Sequence, residues 1–216
     1  MPNRVRTISA RIFIAVFLLL AMSDPSFAQL YGTAVSKLDN TSAPSPNKKW
    51  LVSVKINKEG LPILTIQKEP DGRPEDLMDV SRSGWVLWSM DSKTFAFTDA
   101  AFANHYFVHL CSAETSGTQC RDISPEIEDR VKKSLSTKTK IDNLYSKALK
   151  WTSSDKLIVG VHTVTSPEME PGQTRVPVRY WFGAFLVNAR TGRIIKKLTQ
   201  EQACLELGAN LNQLEW

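Results

Sequence analysis

Trp88-Ser89-Met90-Asp91-Ser92-Lys93-Thr94-Phe95-Ala96-Phe97-Thr98 reads as a tight turn running into a buried strand. Ser and Asp side chains bond to nearby backbone N–H groups and so stabilise such a turn. The residues after it are aromatic or β-branched and suit a packed, pleated surface. The tryptophan before it supplies a large apolar anchor. The pattern recurs. Ser45-Pro46-Asn47-Lys48-Lys49-Trp50-Leu51-Val52-Ser53-Val54 places Ser45, Asn47 and Lys49 44 positions ahead of Ser89, Asp91 and Lys93. Trp151-Thr152-Ser153-Ser154-Asp155-Lys156-Leu157-Ile158-Val159 is a weaker third copy, one residue shorter in its turn.

Further strand signals follow each copy. They are Leu61 to Ile66, closed by Pro70-Asp71-Gly72; then His105 to Cys111; then Tyr180 to Val187 and Ile194 to Leu198. The last two are joined by Asn188-Ala189-Arg190-Thr191-Gly192 and predict a hairpin. Repeats of roughly 40–60 residues that each hold several short strands are the sequence mark of propeller blades.

Trp88 to Thr98 resembles the W-S-P-D-G-K-x-[apolar]-A-F-[TS] blade signature of TolB-like β-propellers. Met90 stands for the usual proline and Ser92 for the usual glycine. The first copy keeps Ser45-Pro46-Asn47 but has Ala43-Pro44 where a tryptophan is expected, and the third keeps Trp151 and Asp155. The likeness touches residues 47 to 198 in patches. It implies blade architecture and an interaction platform rather than a chemistry. Three copies are fewer than the four blades that a closed propeller needs.

The spacing widens between the second and third copies, where residues 122 to 150 read partly as helix. Ser124 is expected to cap it, with Pro125 at the first position and Glu126, Glu128 and Asp129 in the first turn. Ile127, Val131 and Leu135 share one face. Ile141, Leu144, Tyr145, Ala148 and Leu149 fit a second helical face or a strand leading into Trp151. Residues 29 to 46, with Gly32, Asn40, Pro44 and Pro46, read as a loose lead-in. The expected fold is all-β, propeller-blade-like antiparallel sheets with a short helical insertion at about 122–140, in a single domain over 29–216.

Residues 1–28 read as a secretory signal peptide. Arg4, Arg6 and Arg11 precede the apolar run Ile12 to Met22, then Pro25 and Ser26-Phe27-Ala28. The run is shorter than the roughly 20 residues a spanning helix needs. The expectation is an exported chain, periplasmic or secreted, starting at Gln29 and without a transmembrane segment after cleavage. Of 27 basic and 22 acidic residues the leader holds three arginines and Asp24, which leaves 24 and 21 and a net charge near +3. That mild balance gives no footprint for nucleic acid. Lys132-Lys133 and Lys196-Lys197 read as solvated surface.

Cys111 and Cys120 flank a Gly117-containing loop and are expected to form a disulfide, as export permits. Cys204 is then left over, to be buried, to pair with another chain, or to replace one partner of that bridge.

No G-x-S-x-G elbow, H-E-x-x-H or phosphate-binding glycine loop is present in the sequence. The histidines are His105, His109 and His162. On a strand, His105, Phe107, His109 and Cys111 share a face, so His109 and Cys111 would be placed to share zinc or copper. The disulfide reading outweighs this, and no metal or cofactor is expected. Glu126 with Glu128, and Glu168 with Glu170, are explained by capping and solvation. Of the adjacent aromatics Trp85, Trp88, Tyr180 and Trp181, some pack in the core, while alternation turns others outward as binding residues. Trp216, behind Leu207, Leu211 and Leu214, is a further docking candidate. The sequence thus points to a non-catalytic binding protein with a protein partner in the envelope or outside the cell. The alternative is an exported hydrolase or metal-dependent enzyme with a dispersed site near His105 and His109.

Overall fold

The computed structural model describes residues 32–36, 41–113, 120–135, 139–167 and 179–214. In it the three recurring turns share one hydrogen-bond pattern. Ser45 Oγ donates to Asn47 Oδ1 at 2.8 Å, Ser89 Oγ to Asp91 Oδ1 at 2.7 Å, and Ser153 Oγ to Asp155 Oδ1 at 2.7 Å. In the first two copies the same carboxamide or carboxylate oxygen also accepts the N–H of Lys49 or Lys93, at 3.0 and 3.1 Å. Lys48 (φ 57°) and Ser92 (φ 60°) then take the left-handed conformation, which favours glycine. The turns of the first two copies touch, since Asn47 N donates to Ser92 Oγ at 3.1 Å.

Each turn joins the first two strands of a four-stranded antiparallel meander. The first meander is β2 (Ser42–Pro44), β3 (Trp50–Ile56), β4 (Pro62–Lys68) and β5 (Glu75–Asp79). The second is β6 (Ser83–Trp88), β7 (Thr94–Phe102), β8 (His105–Ser112) and β9 (Cys120–Asp122). The third is β10 (Thr139–Ser153), β11 (Lys156–Pro167), β12 (Arg179–Asn188) and β13 (Ile194–Leu198). A short parallel contact, Leu144 to His105 and Tyr145 to Tyr106, joins the second and third meanders. With β1 (Thr33–Ser36) paired to β6, they form a nine-stranded sheet beside the four-stranded one. The fold is all-β with a short helical insertion.

Two cores separate the meanders. Val52, Val54, Leu64 and Ile66 of the first pack against Val86, Phe95 and Phe97 of the second. Leu87, Ala96, Val108 and Leu110 of the second pack against Leu144, Trp151, Leu157, Val159, Val161 and Phe185 of the third. Alternation along β7 serves both, sending Phe95 and Phe97 one way and Ala96 the other. The same logic recurs in polar form. Trp88 Nε1 donates to the Ala43 carbonyl at 3.1 Å, and Trp151 Nε1 donates to that of Leu87 at 3.0 Å. Ala43 and Leu87 each lie two residues ahead of their turn serine, so each indole bonds the same position of the preceding copy.

The lead-in is more ordered than expected: residues 29 to 46 contain β1 and β2, whose Val35 and Ala43 are fully buried. Their few apolar residues, set among polar ones, hide this from a reading of composition. The segment left open between helix and strand is strand: Ile141 to Leu149 lie within β10. The insertion is α1 (Ser124–Ser134), with Ile127 and Val131 buried in the core it shares with the second and third meanders. Its capping differs from expectation. Ser124 makes no cap; its Oγ accepts the Val108 N–H at 2.8 Å, and Asp122 Oδ1 accepts the Ser124 N–H at 2.8 Å. The hydroxyl is drawn into the sheet, so the preceding aspartate serves the helix start.

A second helix, α2 (Gln200–Leu207), packs on β10, β12 and β13. Thr199 and Gln202 form a reciprocal capping box at 3.1 Å each way, and Gly208 (φ 71°) ends it. Ala203, Leu207, Leu211 and Leu214 are buried, so this segment covers part of the third meander's outer face. Trp216, Glu168, Glu170, Gly117 and the leader lie outside the described residues. No helix among the described residues is long and apolar enough to cross a membrane.

Candidate binding surface

Farther along that same outer face, beyond α2, begins a row of rings, which continues through Tyr106 and Trp85 on the side of the second meander that carries Val108 and Leu87. Alternation on β11 and β12 places His162 and Phe182 on the side opposite Val161 and Phe185, which face the core. His162 stacks on Phe182 with centroids 4.7 Å apart and planes within 6°. Tyr180 and Tyr145 flank it at 5.7 and 5.5 Å. Tyr145 meets Tyr106 edge to face at 5.1 Å, and Tyr106 meets Trp85 at 5.6 Å. The row thus crosses β6, β8, β10, β11 and β12. Register builds it directly, because Tyr145 is paired with both Tyr106 and His162, and His162 with Phe182. Directly opposed residues on neighbouring strands stand about 5 Å apart, which is stacking distance for rings.

Two polar contacts frame the row. Tyr145 Oη donates to the Ala103 carbonyl at 3.2 Å. Lys147, nearly buried, holds its Nζ 4.4 Å from the Trp85 ring centroid, a cation–π contact. Burial lowers the His162 pKa, so its imidazole is neutral at pH 7. The rings are half-buried except Tyr180, which is 67% exposed.

The four aromatics singled out in the sequence separate here. Trp85 and Tyr180 belong to the row. Trp88 does not: its indole is bonded to Ala43 and packs 4.8 Å from Phe95 beside the first core. Trp181 faces the opposite side of β12, packs against the core between the second and third meanders, and lies under Lys197 Nζ at 4.9 Å. It overlies Gly183, where an added Cβ would stand 2.2 Å from the indole. Tyr106, Tyr145, Phe182 and Lys147 are not among the binding residues expected from sequence, because their role depends on strand pairing rather than on local pattern.

Cys111 and Cys120 are bonded, their Cα atoms 4.2 Å apart, and Cys204 is free and partly buried. The histidines are dispersed. His105 lines a groove with Glu128, Lys132, Lys133 and Lys140. His109 lies four residues away on β8, about 13 Å along an extended strand. It stacks 6.4 Å from Phe97 opposite Asp122; burial lowers its pKa while the Asp122 charge raises it. With Cys111 oxidised, the His109–Cys111 pair cannot ligate a metal. Among the described residues, no group of three or more His, Cys, Asp or Glu is placed to hold a metal ion.

One further buried group stands out. Asp99 on β7 is 4% exposed; it accepts a backbone hydrogen bond from Ser81, and its Oδ1 has no hydrogen-bond partner among the described residues. Burial pushes its pKa up to about 6.

No family model matches the chain, and no curated protein does. Among solved structures, the Pyrococcus horikoshii acylaminoacyl peptidase (orthorhombic crystal form) is similar at TM-score 0.41 and 16% identity, over 77% of this chain and 25% of that one. The chain therefore spans a quarter of that protein's length, and a likeness of this size carries no functional argument.

Proposed function

We infer that this is an exported, non-catalytic binding protein of the cell envelope or the secreted fraction, periplasmic or extracellular. Its contact surface is the row from Trp85 to Tyr180, and its partner is another protein. The observation that carries this reading is the continuous row of half-buried rings ending in an exposed tyrosine. Large aromatics that combine apolar area with polar tips dominate protein–protein contact energies. The leader at 1–28 and the TolB-like blade signature support the compartment and the interaction role as expectations from sequence.

The test is affinity capture with the exported chain from envelope and culture fractions, read by mass spectrometry. The expected result is one stoichiometric protein partner, lost with Tyr180→Ser or Trp85→Ser. It is retained with Met90→Ser, which alters an exposed apolar residue on the turn of the second meander. A blank, or a partner held equally by all the variants, overturns the reading.

A further inference from the structure

Among the described residues β1, β2, β5, β9 and β13 each pair with a single neighbouring strand, and β5 and β13 are the longest of these open edges. β5 pairs only with β4, and β13 only with β12, among the described residues. Each is five residues long, so their lengths match. Free edges of this kind offer unpaired N–H and C=O groups to any other strand.

The two edges carry opposite charge. β5 presents Glu75, Asp76 and Asp79, all exposed. β13 presents Lys196 and Lys197, exposed, with exposed Arg193 just ahead of it. Ile195, 48% exposed, adds an apolar contact on the basic edge. The Ile194 N–H is already taken by Glu126 Oε1 at 3.0 Å, which fixes the start of that edge beside α1.

Charges on edge strands ordinarily block pairing. Here the block is selective. Like charges oppose β5 on β5 and β13 on β13, which disfavours a symmetric dimer built on either edge. Acidic β5 against basic β13 is instead favoured, because opposite charges directly across two strands attract.

We propose that the basic β13 edge of one copy of this chain takes the acidic β5 edge of a second copy, giving a head-to-tail assembly. The contact is heterologous, so the copy at each end keeps one free edge and the assembly grows until it closes into a ring. It uses neither the aromatic row nor its partner and is independent of that reading.

The experiment is sedimentation velocity of the exported protein across a concentration series, at about 20 mM and about 0.5 M salt. Charge attraction is screened within a few ångströms at the higher salt. The expected result is mass growing with concentration at low salt and a monomer at high salt. Lys196→Glu/Lys197→Glu and Glu75→Lys/Asp76→Lys are each expected to be monomeric alone and to reassemble when mixed, because each supplies the complement the other lost. Tyr180→Ser is expected to assemble like the unaltered chain. A monomer at every concentration, an assembly unaffected by salt, or one that survives either reversal overturns the proposal. Failure of the mixed variants to reassemble, with circular dichroism unchanged, overturns it as well.

Discussion

Trp151 gives its indole proton to the carbonyl of Leu87, 64 residues earlier, inside the core between the second and third meanders. Trp151 is 7% and Leu87 5% exposed. The bond is therefore a buried polar joint between two apolar layers, and water does not replace it.

Trp151→Phe keeps most of the ring area but leaves the Leu87 carbonyl without its donor. An unsatisfied buried group costs about 1–3 kcal/mol. Urea denaturation is expected to show a loss of that size with little change in slope. Trp88→Phe is expected to lose less, because Trp88 is only partly buried. Equal losses at both sites would contradict the burial argument.

The bridge from Cys111 to Cys120 spans nine positions. In the chain-entropy picture, closing so short a loop contributes about 2–3 kcal/mol. Cys120→Ser is expected to lower stability by that amount. It should also abolish the sensitivity of the unfolding midpoint to a reducing agent, which checks that the bridge is present in the protein.

Asp99 gives a pH dependence of defined sign. Its folded pKa of about 6 lies above the ordinary 3.8, so between those values the native state binds more protons than the unfolded one. The Asp99 contribution to stability is then greatest below about pH 4, falls as pH rises to about 6 and levels off beyond, while the lowered pKa values of His109 and His162 act in the opposite sense and favour the native state above pH 6.5. The fall from Asp99 amounts to roughly 3 kcal/mol at most. Asp99→Asn is expected to gain stability relative to the unaltered chain as pH rises from 4 to 7, so that the difference between the two isolates the aspartate from the histidines. Chemical denaturation of both proteins at pH 4, 5, 6 and 7 checks this.

Lys48 is exposed and holds φ at 57°. A left-handed conformation costs a non-glycine residue about 1–2 kcal/mol, part of which glycine returns through its looser unfolded chain. Lys48→Gly is expected to stabilise by up to about 1 kcal/mol. Ser92→Gly is expected to gain less, since the Ser92 hydroxyl also accepts the Asn47 N–H.

Much of the architecture was legible because it rests on local chemistry. The turn serines, Asn47, Asp91 and Asp155 act on neighbours within a few residues, so their pattern reads directly as three turns with strands behind them. Ile127 and Val131 likewise announced α1. What stayed hidden depends on distant pairing. β1 and β2 are short and made of small residues apart from Val35, and only packing against the second meander makes Val35 and Ala43 core residues. The aromatic row arises from cross-strand register, so Tyr106, Tyr145 and Phe182 look like any strand aromatics until their neighbours are known. Trp88 and Trp181 looked like Trp85 and Tyr180 for the same reason. Alternation says that adjacent rings part company, but not which one reaches the surface.

β7 has large rings toward one core and Ala96 toward the other, and its phase is set by the turn at Ser89 to Lys93. Adding or removing one residue in that turn would exchange the two sides, pressing phenylalanine into the space cut for alanine and leaving a void where Phe95 and Phe97 had been. A single five-residue bend thus acts as the indexing pin of both interfaces. Length changes there should be far less tolerated than changes of residue type.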